Sequence, residues 1–139
     1  MKTLLISLLS IIFLSSLLQA NTSAEGLYDT KCSACHIKTR PVVKSALVAP
    51  PIMGVMRHVK MTYKTKEEAV KFISEYVMDP QKAKAVCMDN KIERFGLMPS
   101  QKGNLTDEEL HTIAEWIYDN FPPVDFTGMN EGKKKGCGN

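Results

Sequence analysis

Residues 31–38 read KCSACHIK, with two thiols, Cys32 and Cys35, three positions apart and an imidazole, His36, directly after the second. Three chemistries suit that spacing. The pair can cycle between dithiol and disulfide, it can supply half of a zinc site, or all three residues together can hold a haem. A thioredoxin-like pair needs a strand–helix setting within a βαβ pattern, and no stretch of this chain alternates as a strand does. A structural zinc site needs four ligands. Cys87 and Cys137 could complete one, but they stand singly, about fifty residues apart, and His36 would go unused. Haem attachment uses all three residues: each thiol adds across one vinyl group, and the imidazole lies beneath the iron.

Two loop segments bear on that choice. FGLMPS (95–100) sets Met98 between Gly96 and Pro99, off any helical stripe. A thioether is a soft neutral ligand that, paired with histidine on haem iron, raises the potential. Of the eight methionines, Met98 is the expected ligand and Met88 the second choice. Met53, Met56, Met61 and Met78 lack a comparable setting, and Met129 falls in a glycine-rich tail. APPIMG (49–54) is a proline-rigidified loop. It can be read as an ordinary Pro-Pro turn or as the source of a carbonyl for the second ring nitrogen of a metal-bound histidine.

The elements that must position these groups are helical. TKEEAVKFISEYVMDP has Thr65 three residues before Glu68, a capping-box spacing. Its Ala69, Phe72, Ile73, Tyr76 and Val77 share one face, and Pro80 ends it. LTDEELHTIAEWIYDNFPP repeats the device with Thr106 and Glu109. Leu110, Ile113, Ala114 and Ile117 form its stripe, with Trp116 at the edge and Pro122 and Pro123 after it. A shorter helix is expected from about Ala24 to Cys35. The sequence between it and Thr65 reads as loop, and so does Asp89 to Thr106. Loops that long are unusual in a small domain unless something organises them, as a large apolar cofactor would.

The 139 residues predict one domain. Residues 1–20, MKTLLISLLSIIFLSSLLQA, read as a secretory signal peptide, with a run too short and too broken by serines for a membrane span. Cleavage is expected after Ala20, with Ala24 as the alternative, and no stable span remains once the segment is gone. Residues 21–130 form the expected domain and 131–139 a basic, glycine-rich tail. The formal charge of +3, or +2 without Lys2, argues against nucleic acid as a partner. Export implies an oxidising compartment, the periplasm.

In this motif order the chain resembles a class I c-type cytochrome over residues 24–121. The residues that carry the resemblance are Tyr28 before CSACH, the APPIMG loop, LMPS, and Trp116 in TIAEWI. It implies an all-α cytochrome c fold, a few helices and long loops wrapped around one covalently bound haem c. Cys32 and Cys35 would carry the thioethers, His36 and Met98 the axial bonds, and the Pro50 carbonyl would meet His36. The first and last helices would cross through Tyr28, Ile113 and Trp116. Two positions depart from the pattern: Ala49 replaces a glycine, and Gly26 stands two before Tyr28, with the small residue Ala24 four before.

The expected function is single-electron transfer between redox partner proteins, not enzyme catalysis, since both axial positions are filled. The alternative is a haem subunit of a periplasmic oxidoreductase, for example in sulfur-compound oxidation. A haem enzyme or gas sensor would require Met98 to leave the iron. His58, in the loop after Gly54, competes as an axial ligand. Arg57 is expected to neutralise a propionate, and His111 to be solvated. Lys31, Lys38, Lys44 and Lys133 to Lys135 would steer acidic docking surfaces. Cys87 and Cys137 are expected to pair, pinning the tail beside the Met98 loop, unless Cys137 stays free or joins a second chain.

Overall fold

The structure is a computed structural model that describes residues 23–86 and 89–124. The signal segment 1–20, the tail 131–139 with Lys133 to Lys135, and Cys87, Met88, Met129 and Cys137 lie outside the described residues.

Ser23 opens the first helix, α1 (Ala24–Lys31). Its hydroxyl accepts from the Gly26 amide at 3.1 Å, and Glu25 sits at the positive end of the helix dipole. The helix ends earlier than expected. Beyond Lys31 the chain closes into a turn in which the amides of Cys35 and His36 both donate to the Cys32 carbonyl, at 3.2 and 2.9 Å. The two thiols and the imidazole are thus displayed on a tight turn at a helix end.

A 3₁₀ turn (Lys44–Ala46) interrupts the following loop. Then comes α2 (Ile52–Thr62), in a segment that was expected to be loop. The reason is the place of the prolines. Pro51 is the N-cap, where a missing N–H costs nothing, so Pro50 and Pro51 introduce a helix instead of interrupting one. Ile52, Met53, Met56 and Val59 form its buried face. His58 and Arg57 therefore stand on a helix and not in a loop.

The next helix, α3 (Lys66–Met78), has its capping box formed in both directions. Thr65 accepts from the Glu68 amide, and the Glu68 carboxylate accepts from the Thr65 amide. A second 3₁₀ turn (Lys82–Lys84) follows. The short α4 (Asp89–Phe95) is a second correction to the expected loop. It stops at Gly96, whose φ of +76° suits glycine and whose amide still reaches the Ile92 carbonyl at 2.8 Å. The last helix, α5 (Asp107–Asn120), is capped by the reciprocal Thr106–Glu109 pair.

Among the described residues there is no strand, only an isolated bridge between Lys102 and Leu105. Helices α1 and α3 pack on α5, and α2 touches it more lightly. Tyr28, Met56, Val59 and Leu110 are the largest side chains buried completely. Each such burial contributes about 1.5–3 kcal/mol. The Tyr28 ring lies 5.3 Å from that of Trp116 and 6.4 Å from that of Phe121, centroid to centroid, which locks α1 across α5. No described helix is long and apolar enough to cross a membrane.

Candidate functional site

The helices enclose one large apolar cavity, with about 1470 Å³ of space between atoms, part of it open to solvent. Cys32, Cys35, His36 and Met98 all line it. Cys32, Cys35 and His36 come from one turn and Met98 from a loop far along the chain, and the fold brings the two segments to the same cavity.

His36 is held from two sides. Its Nδ1 lies 2.8 Å from the carbonyl oxygen of Pro50, and its own carbonyl accepts a hydrogen bond from the Tyr28 hydroxyl. A ring whose Nδ1–H donates to a carbonyl keeps its lone pair on Nε2. Burial holds the imidazole below its ordinary pKa, against the opposing effect of the Pro50 bond, so the ring is neutral near pH 7. A neutral, oriented imidazole is the form that binds a metal. The Pro50 carbonyl is itself fixed, because the Ile52 amide donates to the Ile37 carbonyl at 3.1 Å and α2 starts there.

The thiols differ in exposure. Cys35 is exposed and Cys32 partly buried. Burial pushes the Cys32 thiol up to about 11, with a further rise from Cys35 and a smaller opposing effect of Lys31. At neutral pH it is therefore a protonated thiol, and its low thiolate content argues against a redox-cycling pair.

Met98 is partly buried on a loop tied down at both ends. The Gln101 amide donates to the Val77 carbonyl at 3.0 Å, the Ser100 hydroxyl bonds to the Met78 carbonyl, and the Arg94 guanidinium reaches the Lys44 carbonyl at 2.6 Å. On the other side the Lys31 ammonium donates to the Asn104 carbonyl at 2.8 Å. Of the remaining methionines, Met56 and Met53 are buried on α2, which explains them as packing.

The donor set fits a haem. It comprises one pre-oriented imidazole, one thioether and two thiols around an apolar space large enough to need a filler. Among the described residues no three His, Cys, Asp or Glu side chains gather as a metal-ion site of their own. His58 also lines the cavity, a position that the loop reading of its segment had hidden. Arg57 is exposed and is not among the lining residues. His111 is exposed on α5, 3.9 Å from Glu115. Lys38 is neutralised by Glu25 and Asp29 at 2.8 and 2.7 Å, so it adds little net positive charge to its surface.

A family model described as "Cytochrome C oxidase, cbb3-type, subunit III" matches residues 19–117. An "Uncharacterized protein" of Aquifex aeolicus (strain VF5) is 33% identical over 108 residues, covering 68% of this chain and 71% of its own. No solved structure matches the chain.

Proposed function

Because the chain belongs to the c-type cytochromes, by the family match over residues 19–117, we propose that it is a periplasmic monohaem electron carrier built on Cys32, Cys35, His36 and Met98. Electron transfer through haem, and hence redox partners, come with the family. When bound, haem c supplies a one-electron couple at its iron. The chain's residues supply the rest. The Cys32 and Cys35 thiols would carry the two thioether bonds. Nε2 of His36 and the sulfur of Met98 would hold the iron, so that both protein ligands would come from this chain and the group would serve electron transfer. Donors already held by the Pro50 carbonyl and by the anchored loop need not move when the charge at the site changes.

The observation that carries this reading is the His36–Pro50 contact at 2.8 Å in the cavity that Met98 also lines. The test is purification of the full chain from cells equipped for haem attachment. Acid–acetone extraction should leave the pigment on the wild-type protein and strip it from the Cys32→Ser, Cys35→Ser double variant. The oxidised wild type should show a weak far-red band that Met98→Ala abolishes. A colourless folded product, or a far-red band that survives in Met98→Ala, would refute the assignment.

The leader-like residues 1–20 support export, and residues 21–130 are the domain proposed to follow. N-terminal sequencing of a periplasmic fraction should begin at Asn21. Acidic docking surfaces on the partners are the finer reading, with Lys31 and Lys44 the side chains to neutralise. The matched family is named for an oxidase subunit, and that favours a second reading, a haem subunit of a larger periplasmic oxidoreductase. Val42, Val43 and Val48 are exposed, Val48 on the lining of the cavity, and would suit an apolar interface. Size-exclusion chromatography decides: a monomer supports the diffusible carrier, a stable complex the subunit.

A further inference from the structure

Met98 stands between two anchors of different kinds. After it, the Ser100 hydroxyl and the Gln101 amide bond to the Met78 and Val77 carbonyls at the end of α3, a helix that packs on α5. Before it comes α4. Helices α1, α2 and α3 all contact α5, whereas among the described residues α4 makes no comparable packing with another helix. Its place depends on what ties it to the rest of the chain.

Arg94 supplies such a tie. Its Nη2 donates to the Lys44 carbonyl at 2.6 Å, and its guanidinium lies 4.7 Å from the centre of the Phe95 ring. Both segments joined in this way line the cavity. Val48 and Pro50 follow Lys44, and Phe95, Leu97 and Met98 follow Arg94. The Pro50 carbonyl is the one that meets His36. One side chain therefore links the stretch that orients the imidazole to the stretch that presents the thioether. The acceptor is a backbone oxygen, so the bond holds the chain at Lys44 whatever that lysine's own side chain does.

We propose that Arg94 is a positioning residue: it latches α4 and the Met98 loop onto the segment before Pro50 and thereby sets how readily an outside ligand displaces the Met98 sulfur. The proposal rests on the haem reading above. A loop gives up its donor only when it opens, and a segment with little packing opens at a cost set by the few bonds that hold it. A competing ligand's apparent affinity then scales with the open fraction.

The test is imidazole titration of the haem-loaded, oxidised full chain, followed by loss of the weak far-red band. Arg94→Met should bind imidazole about three- to tenfold more tightly than wild type, which is the worth of one exposed charge-assisted hydrogen bond. Thr106→Ala removes the N-cap of α5, away from the cavity lining, and should leave that affinity unchanged. Amide hydrogen exchange in Arg94→Met should quicken between Ile92 and Met98 and stay as slow as wild type in α5. An imidazole affinity unmoved in Arg94→Met would overturn the proposal. So would an equal rise in Thr106→Ala, which would make the effect one of global stability. Arg94 is exposed, so its replacement should be tolerated; if Arg94→Met does not load haem, Arg94→Gln takes its place with the same expectation. Wild-type protein whose pigment is extracted by acid sinks the haem reading, whereas covalent pigment with an unmoved affinity in the Arg94 variant sinks only this proposal.

Discussion

Replacing Tyr28 by phenylalanine removes one hydroxyl and leaves the ring. The ring is 1% exposed and sits in the cluster with Trp116 and Phe121, so packing is preserved. The lost hydroxyl is the donor to the His36 carbonyl. A buried acceptor left without a partner costs about 1–3 kcal/mol, and this one is only part-buried, so about 1–2 kcal/mol is expected. In a domain of roughly 100 residues each kcal/mol lowers Tm by about 4–8 °C, giving a fall of roughly 5–15 °C. The assay is thermal and denaturant unfolding of the haem-loaded protein, followed by far-ultraviolet circular dichroism. The midpoint should drop with the denaturant slope unchanged. The visible spectrum of the native variant should match wild type, because the contact to Pro50 uses a different atom, Nδ1. A Tm within about 1 °C of wild type would refute the reasoning, since it would mean that the carbonyl needs no partner.

Gly96→Ala should destabilise by about 1–2 kcal/mol from backbone strain alone, because φ is +76° and nothing stands within 4 Å of the added Cβ; denaturant melts check it. Thr106→Ala removes the acceptor for the Glu109 amide, at 3.1 Å, and should lower stability by about 1 kcal/mol in the same melts. Asp79 is held below its ordinary carboxylate pKa of 3.8, chiefly by hydrogen bonds from Lys84 and Gln81. Its stabilisation is therefore present above pH 3.8 and is lost as pH falls through the lower folded value, since the unfolded chain takes up the proton first. Asp79→Asn should show a shallower acid limb in a stability–pH series, and a limb as steep as wild type would count against the pairing.

The helices that the sequence announced most clearly are the ones with reciprocal caps. Thr65 with Glu68 and Thr106 with Glu109 satisfy orphan amides locally, so each start can be read without tertiary context. Helices α2 and α4 were hidden for opposite reasons. Pro50 and Pro51 resemble loop punctuation, although Pro51 stands at the N-cap, where its missing N–H is not needed, and Ile52, Met56 and Val59 keep a helical spacing behind it. Helix α4 is too short for periodicity to separate it from a turn. Within the site, CxxCH and Met98 could be singled out by residue type. His58 could not, because its place on the lining depends on which way a helix faces, and the loop reading had removed the helix.

The crossing of α1 on α5 has a consequence for assembly. Tyr28 and Trp116 stand near opposite ends of the described chain, yet their rings touch. A contact between such distant segments cannot form until both have been synthesised, and closing so long a loop costs entropy before any energy is returned. A chain synthesised from its N-terminus exposes the turn carrying Cys32 and Cys35 well before Trp116 exists to shut over Tyr28. The final helix completes the core against which Cys32 packs, whereas Cys35 is exposed in the folded chain as well, so the order of synthesis bears on access to the first sulfur far more than to the second.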